Sequence, residues 1–474
     1  MKRMKKMLAG ALCSCMAFGF IACGDKVGGE SSGTYEGSEN ISSESGSSFQ
    51  SESDSGFAPE AKPVDEIIFE EDEILLALGE EGKSKKVSAH YYRNGEIVEG
   101  TSVAIRSDNP DVVEVSEDCV LIPKGIGCTT VTATYGKLSA TAEITVVAKI
   151  GAESVKTFDE AYVNTYGRTY VSAGKLILDY VATGLEIAME GETLTVQIES
   201  SHSTYLNVFV DGEETERIAL TPMQTEYTLA EGLSEGIHIV RLVKSSEVYD
   251  GQIRIVDFFA EQFYSAPEKP ELYIEFVGDS ITAGYGTRGE SWESRSVINS
   301  DGCLSYAYRT AQVLNVDYSL VAIQGICVNT NMWLNVKMSE IYQYVSPNNS
   351  VDYEYAREPD VVVLNLGTND ATYIEQKDSL YGNEFSVDYM DFLIEVRDRH
   401  PDSYIVCIYG MMTTNNDIDA GIDNAIEWLE DDKILRFENF TSNTDGVNGH
   451  PTAAAQRTWG DSLAAFIEKN CIKA

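Results

Sequence analysis

The sequence predicts a multidomain protein in which two β domains, a β-sandwich and a β jelly-roll, precede an α/β/α domain with a parallel sheet. Three observations favour this fold class. The chain has 474 residues, a length typical of about three domains. Residues 65–265 read as short strands joined by Gly and Asp turns. From residue 271 onward, continuous apolar runs alternate with amphipathic helices, which is the pattern of a parallel sheet covered on both faces.

The charge of the chain limits its partners. It carries 76 acidic against 35 basic side chains, for a formal net charge of −41. A nucleic-acid-binding surface needs a basic footprint, and the sequence has no basic cluster of that kind beyond its first six residues. We therefore expect no nucleic-acid partner.

The N-terminus predicts export. "MKRMKK" is basic, and the apolar segment after it is too short for a membrane-spanning helix. The segment ends in "FIAC" and resembles the lipobox of bacterial lipoproteins, so residues 1–23 imply a lipoprotein signal with Cys23 as the lipidated residue. Cys15 leaves too short an apolar segment, and a plain signal peptide is the alternative. The resemblance implies a lipid-anchored protein on the extracellular face of a bacterial membrane.

Two segments separate this signal from the region that begins at residue 151. Residues 24–64 are rich in Ser, Gly and Glu and have too few apolar residues to fold, which predicts a disordered tether. Residues 65–149 alternate β-branched residues with regular turns, which predicts an antiparallel sandwich. The order "SDNPDVVEVSEDCVLIPKGIGCTTVTATYG" resembles the bacterial Ig-like domain of group 2 and implies a spacer or wall-associated module.

Residues 151–265 contain about eight further strands with Gly and Asp turns, which indicates a jelly-roll. Such folds often bind carbohydrate, but a purely structural brace has the same pattern. After the hinge "SAPEKPEL", residues 271–474 form the predicted α/β/α domain.

The stretch "FVGDSITAGYG" places Ser280 between an apolar strand and what reads as a helix start. There a serine either caps the helix or acts as a nucleophile at the carboxyl end of a strand. Gly325 in "AIQG" and Asn369 in "GTND" follow two other strands, and His450 in "DGVNGHP" precedes the last helix. Carboxyl ends of parallel strands share one edge, so these residues should converge. Together they supply a hydroxyl, an imidazole and oxyanion donors, the requirements of acyl transfer.

The ordered blocks "GDS", "G", "GxND" and "HP" resemble those of the SGNH (GDSL-like) hydrolases. The ordinary α/β-hydrolase elbow GxSxG is absent, because residue 282 is Thr. The resemblance implies Ser280 as nucleophile, His450 as general base, and an oxyanion hole formed by the N–H groups of Ser280 and Gly325 with the Asn369 amide. It implies no cofactor and no metal.

Residues 151–474 as a whole resemble carbohydrate esterase family 2 in their domain order and in their sequence motifs. The motifs that carry this resemblance are "GRTYV", "FVDGEE" and "IEFVGDSITAGYG". Members remove acetyl groups from polysaccharides such as xylan and mannan, so an acetylated polysaccharide or oligosaccharide is the implied partner. Trp333 matches the position of an aromatic sugar platform, although a core or rim tryptophan is an equal alternative.

One position departs from the SGNH pattern. These enzymes usually place an Asp two or three residues before the His, but Asn448 and Val447 occupy those positions and the nearest upstream carboxylate is Asp445. Either Asp445 orients the imidazole across a longer loop or a neutral carbonyl does so.

The same sequence patterns are also consistent with other functions. A binding protein with an inactive hydrolase domain, or an esterase acting on a lipid, thioester or peptidoglycan acyl group, has the same motifs. Cysteines beyond residue 100 lack the spacing of a zinc site, and Cys119 with Cys128 form a disulfide or remain free thiols.

Overall fold

The computed structural model of the protein describes residues 65–79, 84–156, 159–329, 334–377, 381–438 and 440–472. These residues fall within one structural unit, Lys62–Ala474. The predicted signal with Cys23 and the predicted tether lie outside the described residues. Within the ranges described, no helix has the length and apolar character needed to cross a membrane.

Residues 65–149, the first β region, fold into short strands around a small core. Val131, Ala133, Ile144 and Val146 are fully buried in it, one face of each strand pointing inward. Every strand pair here is antiparallel except β2 with β10, which is parallel. The strands are β1 (Asp65–Phe69), β2 (Glu73–Leu78), β3 (Lys85–Lys86), β4 (Ala89–Arg93), β5 (Glu96–Ile97), β6 (Ala104–Ser107), β7 (Val113–Val115), β8 (Val120–Pro123), β9 (Gly127–Tyr135) and β10 (Leu138–Lys156).

The predicted boundary between residues 149 and 151 lies inside strand β10. The strand pairs with β9 as far as Val146 and with β20 from Lys149 onward. Its register shifts between Lys149 and Ala152, where Gly151 has a φ of +82°, so a bulge marks the change of partner. The two β regions therefore share a strand instead of being joined by a linker.

Residues 151–265, the second β region, form antiparallel ladders around one apolar core. One ladder runs in the order β17-β16-β19-β14, and β13 and β15 pair with β20. Leu185, Val196, Leu206 and Phe258 are fully buried between them. The strands are β11 (Val163–Tyr166), β12 (Tyr170–Ser172), β13 (Lys175–Leu178), β14 (Gly184–Glu190), β15 (Thr193–Ser200), β16 (Thr204–Val210), β17 (Glu213–Leu220), β18 (Glu226–Glu231), β19 (Ile237–Lys244) and β20 (Ile253–Tyr264).

Residues 271–472, the α/β region, contain the predicted parallel sheet. Its five strands lie in the order β22-β21-β25-β26-β27, and all four pairings are parallel. The elements are β21 (Tyr273–Gly278), α1 (Tyr306–Leu314), β22 (Asp317–Ala322), α2 (Met338–Ile341), β23 (Tyr344–Ser346), β24 (Asn349–Asp352), β25 (Val361–Asn365), α3 (Thr368–Lys377), α4 (Tyr381–Arg399), β26 (Tyr404–Ile408), α5 (Asn416–Leu429), β27 (Ile434–Phe437) and α6 (Ala453–Asn470).

Helices cover both faces of this sheet, which is why its strands are apolar without alternation. Phe276 of β21 packs with Tyr306 of α1 and Trp459 of α6 on one face. Its neighbour Val277 packs with Phe392 of α4 and Ile422 of α5 on the other. The carboxyl ends of the strands then meet at one edge, which we call the site edge.

Candidate active site

The segment that follows β21 is a turn and not the predicted helix. Residues 280–287 adopt turn conformations, with Gly284 and Gly286 at φ values of +73° and +65°, and the first helix of this region begins at Tyr306. Left-handed residues end a helix, so the two glycines account for the difference. Ser280 accordingly has no helix to cap.

Gly278 fixes the tightness of this turn. A Cβ atom at this position would lie 2.1 Å from Thr282 Oγ1 and 3.1 Å from the Asn365 carbonyl oxygen. Thr282 Oγ1 is in turn 2.9 Å from the Tyr306 hydroxyl. The chain therefore folds back on itself directly after the strand. Thr282 occupies the position of the last glycine in GxSxG, and its hydroxyl connects the turn to α1.

The structure brings Ser280 and His450 together although 170 residues separate them. Ser280 Oγ lies 2.9 Å from His450 Nε2, and the serine side chain is almost fully buried. Burial lowers the pKa of His450 to about 4, against the raising effect of the Asn448 and Val447 backbone. The imidazole is therefore neutral near pH 7, the state in which it can accept a proton.

The other nitrogen of this imidazole has no hydrogen-bond partner among the described residues. His450 Nδ1 is buried and unpaired. The structure does not bring Asp445 to it: the Asp445 side chain is exposed and accepts a hydrogen bond of 2.8 Å from Asn443 Nδ2. The arrangement in the structure is a Ser and His pair without a carboxylate behind the imidazole.

A tyrosine that the sequence analysis did not single out supports the imidazole from its face. The rings of Tyr285 and His450 are stacked, with centroids 3.8 Å apart and planes at 18°. Asn448 Oδ1 accepts hydrogen bonds from the Tyr285 hydroxyl at 3.2 Å and from the Arg295 backbone N–H at 2.9 Å. Tyr285 belongs to the "GYG" of the serine motif, so its closeness to Ser280 was the available signal.

Asn369 lies at the start of α3, beside both the serine and the Gly325 loop. Its Nδ2 donates to the Ile326 carbonyl at 3.0 Å and to Asp279 Oδ2 at 3.3 Å. Asp279 is buried and also accepts from the Ile281 N–H at 2.9 Å. Burial, with the nearby Asp370 charge, raises the pKa of Asp279 to about 7. The amide is thus held between the residue before Ser280 and the residue after Gly325.

The loop that carries Gly325 is held from both sides. Gly325 has a φ of +78°, a conformation that favours glycine. On its C-terminal side, the Asp370 carboxylate accepts from the backbone N–H groups of Val328 at 3.2 Å and Asn329 at 2.8 Å. On its N-terminal side, Glu247 Oε2 accepts from the Gln324 N–H at 3.0 Å.

Glu247 comes from the second β region, and sequence reasoning missed it. Its side chain is 1% exposed, and burial raises its pKa to about 7 while Arg295 opposes this shift. Its segment "KSSEVYDG" interrupts the strand pattern with two acidic residues three apart, which was the only signal available.

Trp333 lies outside the described residues. Within the described ranges, no group of three or more His, Cys, Asp or Glu side chains is arranged to hold a metal ion. The six cysteines in these ranges are free, including Cys119 and Cys128.

Comparisons with known protein families give a match for the second β region and another for the α/β region. Residues 165–267 match the model of the carbohydrate esterase 2 N-terminal domain. Residues 276–458 match the GDSL-like Lipase/Acylhydrolase family. The two matches adjoin each other, and the second contains the Ser280 and His450 pair.

Individual relatives agree with these matches. The chain is 30% identical over 303 residues to the cellulase/esterase CelE of Acetivibrio thermocellus. The match covers 60% of this chain but only 36% of that longer protein. It is 24% identical over 307 residues to an acetylxylan esterase / glucomannan deacetylase of Cellvibrio japonicus, covering 62% of this chain and 84% of the relative.

A solved structure shares the fold. A family two carbohydrate esterase from Clostridium thermocellum, determined in complex with cellohexaose, superimposes with a TM-score of 0.60 at 28% identity. The match covers 65% of this chain and 98% of that one. The chain therefore contains a carbohydrate esterase 2 N-terminal domain followed by a GDSL-like domain, and the structure it superimposes on is that of a family two carbohydrate esterase.

Proposed function

We propose that the protein is a serine esterase that removes O-acetyl groups from polysaccharides or oligosaccharides of the xylan or mannan type. The observation that carries this proposal is the 2.9 Å contact between Ser280 Oγ and a neutral His450 Nε2 at the site edge. The names of the relatives, a glucomannan deacetylase and a family two esterase bound to cellohexaose, support an acetylated glycan as the substrate class.

In the acylation step, Ser280 Oγ attacks the acetyl carbonyl carbon and its proton passes to His450 Nε2. The carbonyl oxygen becomes an oxyanion, stabilised by the backbone N–H groups of Ser280 and Gly325 and by Asn369 Nδ2, which exchanges its longer hydrogen bond, 3.3 Å to Asp279 Oδ2, for one to the oxyanion. When the intermediate collapses, the sugar oxygen leaves with the proton from His450, and the acetyl group remains on Ser280.

Deacylation repeats these roles with water. His450 takes a proton from water, the resulting nucleophile attacks the acetyl-Ser280 carbonyl, and the collapse returns the proton to Ser280 Oγ and releases acetate. His450 performs both transfers without a carboxylate at Nδ1, with the Tyr285 ring and the surrounding backbone orienting it.

The test is acetate release from acetylated glucomannan and acetylated xylan by the full chain. We expect Ser280→Ala to abolish release, while Ser462→Ala, on the outer part of α6, retains the parent rate. Release by Ser280→Ala at the parent rate would refute the mechanism. If the protein hydrolyses long-chain acyl esters, thioesters or peptidoglycan esters but releases no acetate from any glycan, those compounds are its substrates. If it binds glycan but hydrolyses no ester, it is a binding protein.

We also propose that the protein is attached to the extracellular face of a bacterial membrane through a diacylated Cys23. The basic and apolar N-terminal segment followed by "FIAC" supports this. In bacteria labelled with a clickable fatty acid, the parent and Cys15→Ser should incorporate label and Cys23→Ser should not. Equal labelling of Cys23→Ser would contradict the anchor.

For the regions between anchor and site, we propose an Ig-like spacer at residues 65–149 and a jelly-roll at residues 151–265. The ladders around separate cores, antiparallel except for β2 with β10, support these assignments. Deletion of the tether, residues 24–64, should leave the rate on a soluble glycan unchanged and reduce release from insoluble wall material by whole cells. Reduced soluble activity would contradict a purely spacing role.

A further inference from the structure

Glu247 contacts the loop that carries Gly325. It follows β19 in the second β region and is 1% exposed, so its carboxylate is enclosed by protein. Oε2 accepts a hydrogen bond of 3.0 Å from the backbone N–H of Gln324, the residue before Gly325. This hydrogen bond fixes the position of the peptide that leads into the Gly325 N–H group.

The same carboxylate reaches the loop that carries His450, through Arg295. Glu247 Oε1 lies 3.5 Å from Arg295 Nη2, and Asp250 Oδ1 accepts from Arg295 Nη1 at 2.7 Å. The Arg295 backbone N–H donates to Asn448 Oδ1 at 2.9 Å. Its guanidinium lies 6.0 Å from the centroid of the Tyr285 ring, and that ring stacks on His450.

We propose that Glu247 is a positioning residue for the esterase site: it fixes the Gly325 loop directly and the His450 loop through Arg295. The inference rests on the proposed ester hydrolysis. It assigns a part in the reaction to the second β region, since Glu247 and Asp250 both belong to that region while Gln324, Arg295 and Asn448 belong to the α/β region.

The surroundings of Glu247 explain why neither glutamine nor alanine can replace its carboxylate. The charged groups around it are Arg295, Asp250 and the fully buried Lys244, whose Nζ donates to the Glu247 backbone carbonyl at 2.8 Å. A buried carboxylate is tolerated where it is paired and hydrogen-bonded. Glutamine retains one oxygen for the Gln324 N–H but loses the charge that faces Arg295, whereas alanine loses both interactions.

The experiment compares Glu247→Ala and Glu247→Gln with Glu214→Gln. Glu214 forms an ion pair of 2.6 Å with Arg288 between the same two regions but contacts neither the Gly325 loop nor the His450 loop in the structure. A misplacement of about 1 Å costs about 100-fold in rate. With p-nitrophenyl acetate we expect kcat to fall about 100-fold in the alanine variant and about 10-fold in the glutamine variant, with KM within about twofold, and Glu214→Gln to match the parent.

A fluorophosphonate probe separates positioning from loss of folded protein. Ser280 Oγ forms a bond to phosphorus, its proton passes to His450 Nε2 and fluoride leaves, so complete labelling counts intact sites and the labelling rate reports their reactivity. With kcat expressed per labelled site, a merely structural role leaves kcat unchanged, whereas positioning lowers both kcat and the labelling rate. If Glu247→Ala does not fold, Glu247→Gln decides the question by the same criteria.

The two proposals fail in different ways. A parent chain that reacts with the fluorophosphonate but hydrolyses no acetyl ester refutes the deacetylase function, and the labelling rates still test Glu247. Parent-like kcat per site and labelling rate in Glu247→Gln and in folded Glu247→Ala overturn the positioning role.

Discussion

Two buried clusters of charged side chains join the second β region to the α/β region, and they differ in how completely their polar atoms are paired. In the Arg168 cluster, the guanidinium forms hydrogen bonds of 3.0–3.1 Å with both oxygens of Glu275. Tyr342 and Tyr355 hydroxyls donate to the same carboxylate at 2.8 and 3.0 Å. Arg168 and Glu275 are both fully buried.

The cluster at the site edge is paired less completely. Arg295 Nε and His450 Nδ1 are buried without hydrogen-bond partners in the described part of the chain, and Glu247 Oε1 is 3.5 Å from Arg295. Burial raises the pKa of Glu247 and lowers that of His450. Of these two clusters, the Arg168 cluster thus has its charged atoms paired, whereas the cluster beside the serine combines unpaired polar atoms with shifted pKa values, a combination typical of functional sites.

The largest effect should come from removing the imidazole. His450→Ala deletes the group that accepts the Ser280 proton in the proposed mechanism, so acetate release should fall by about 10⁴-fold or more. The melting temperature should fall by much less than in a variant of the Arg168 cluster, because the lost stacking on Tyr285 is partly offset by removal of a buried unpaired nitrogen. The measurement pairs acetate release with thermal unfolding, and a melting temperature that falls as far as in such a variant would place His450 with the structural cluster.

Breaking the Arg168 cluster should produce the opposite pattern. Arg168→Met leaves the Glu275 carboxylate buried without its cation, which costs about 3–5 kcal/mol in the free energy of unfolding. The kcat per fluorophosphonate-labelled site should stay within about twofold of the parent. Urea unfolding together with active-site labelling checks both parts. A tenfold loss of kcat per site would show that this cluster also acts on catalysis.

The pH dependence of kcat/KM should sharpen the contrast. The pKa of His450, about 4, means that the neutral base persists below pH 6.5, so complete loss of activity should occur only as pH falls through about 4. Glu247 and Asp279, with pKa values of about 7, should add a smaller decrease near pH 7 as they become protonated. A single complete loss near pH 6.5 would contradict this assignment for His450.

The smallest effect is expected for Asp445→Asn. The carboxylate is exposed and bonds to Asn443, so its charge does not support the imidazole in the structure. Acetate release should remain within about twofold of the parent. A decrease of tenfold or more would mean that Asp445 moves to His450 during the reaction and completes a triad.

Much of the site edge could be predicted from sequence because parallel strands place their carboxyl ends together. Ser280 and Asn369 follow apolar strands that any periodicity analysis finds, and a histidine before the final helix completes the pattern. The predicted helix after Ser280 was wrong because Gly284 and Gly286 adopt left-handed conformations there.

Glu247 was beyond sequence reasoning for a different reason. Its role depends on how one region packs on another, and a polar loop after β19 has no periodicity that indicates a buried partner. The absence of a carboxylate at His450 Nδ1 was foreseeable as an alternative, because the residues before the histidine lack the usual Asp, but only the three-dimensional structure places Asp445 away from the ring.

The shared strand β10 limits how this protein can be divided. A fragment that begins at residue 151 starts in the middle of the strand and removes the half that pairs with β2 and β9. Such a cut exposes unpaired backbone edges of the kind that promote aggregation. Recombination that exchanges the first β region must therefore supply a replacement for half a strand, so the two β regions are expected to be inherited as one piece.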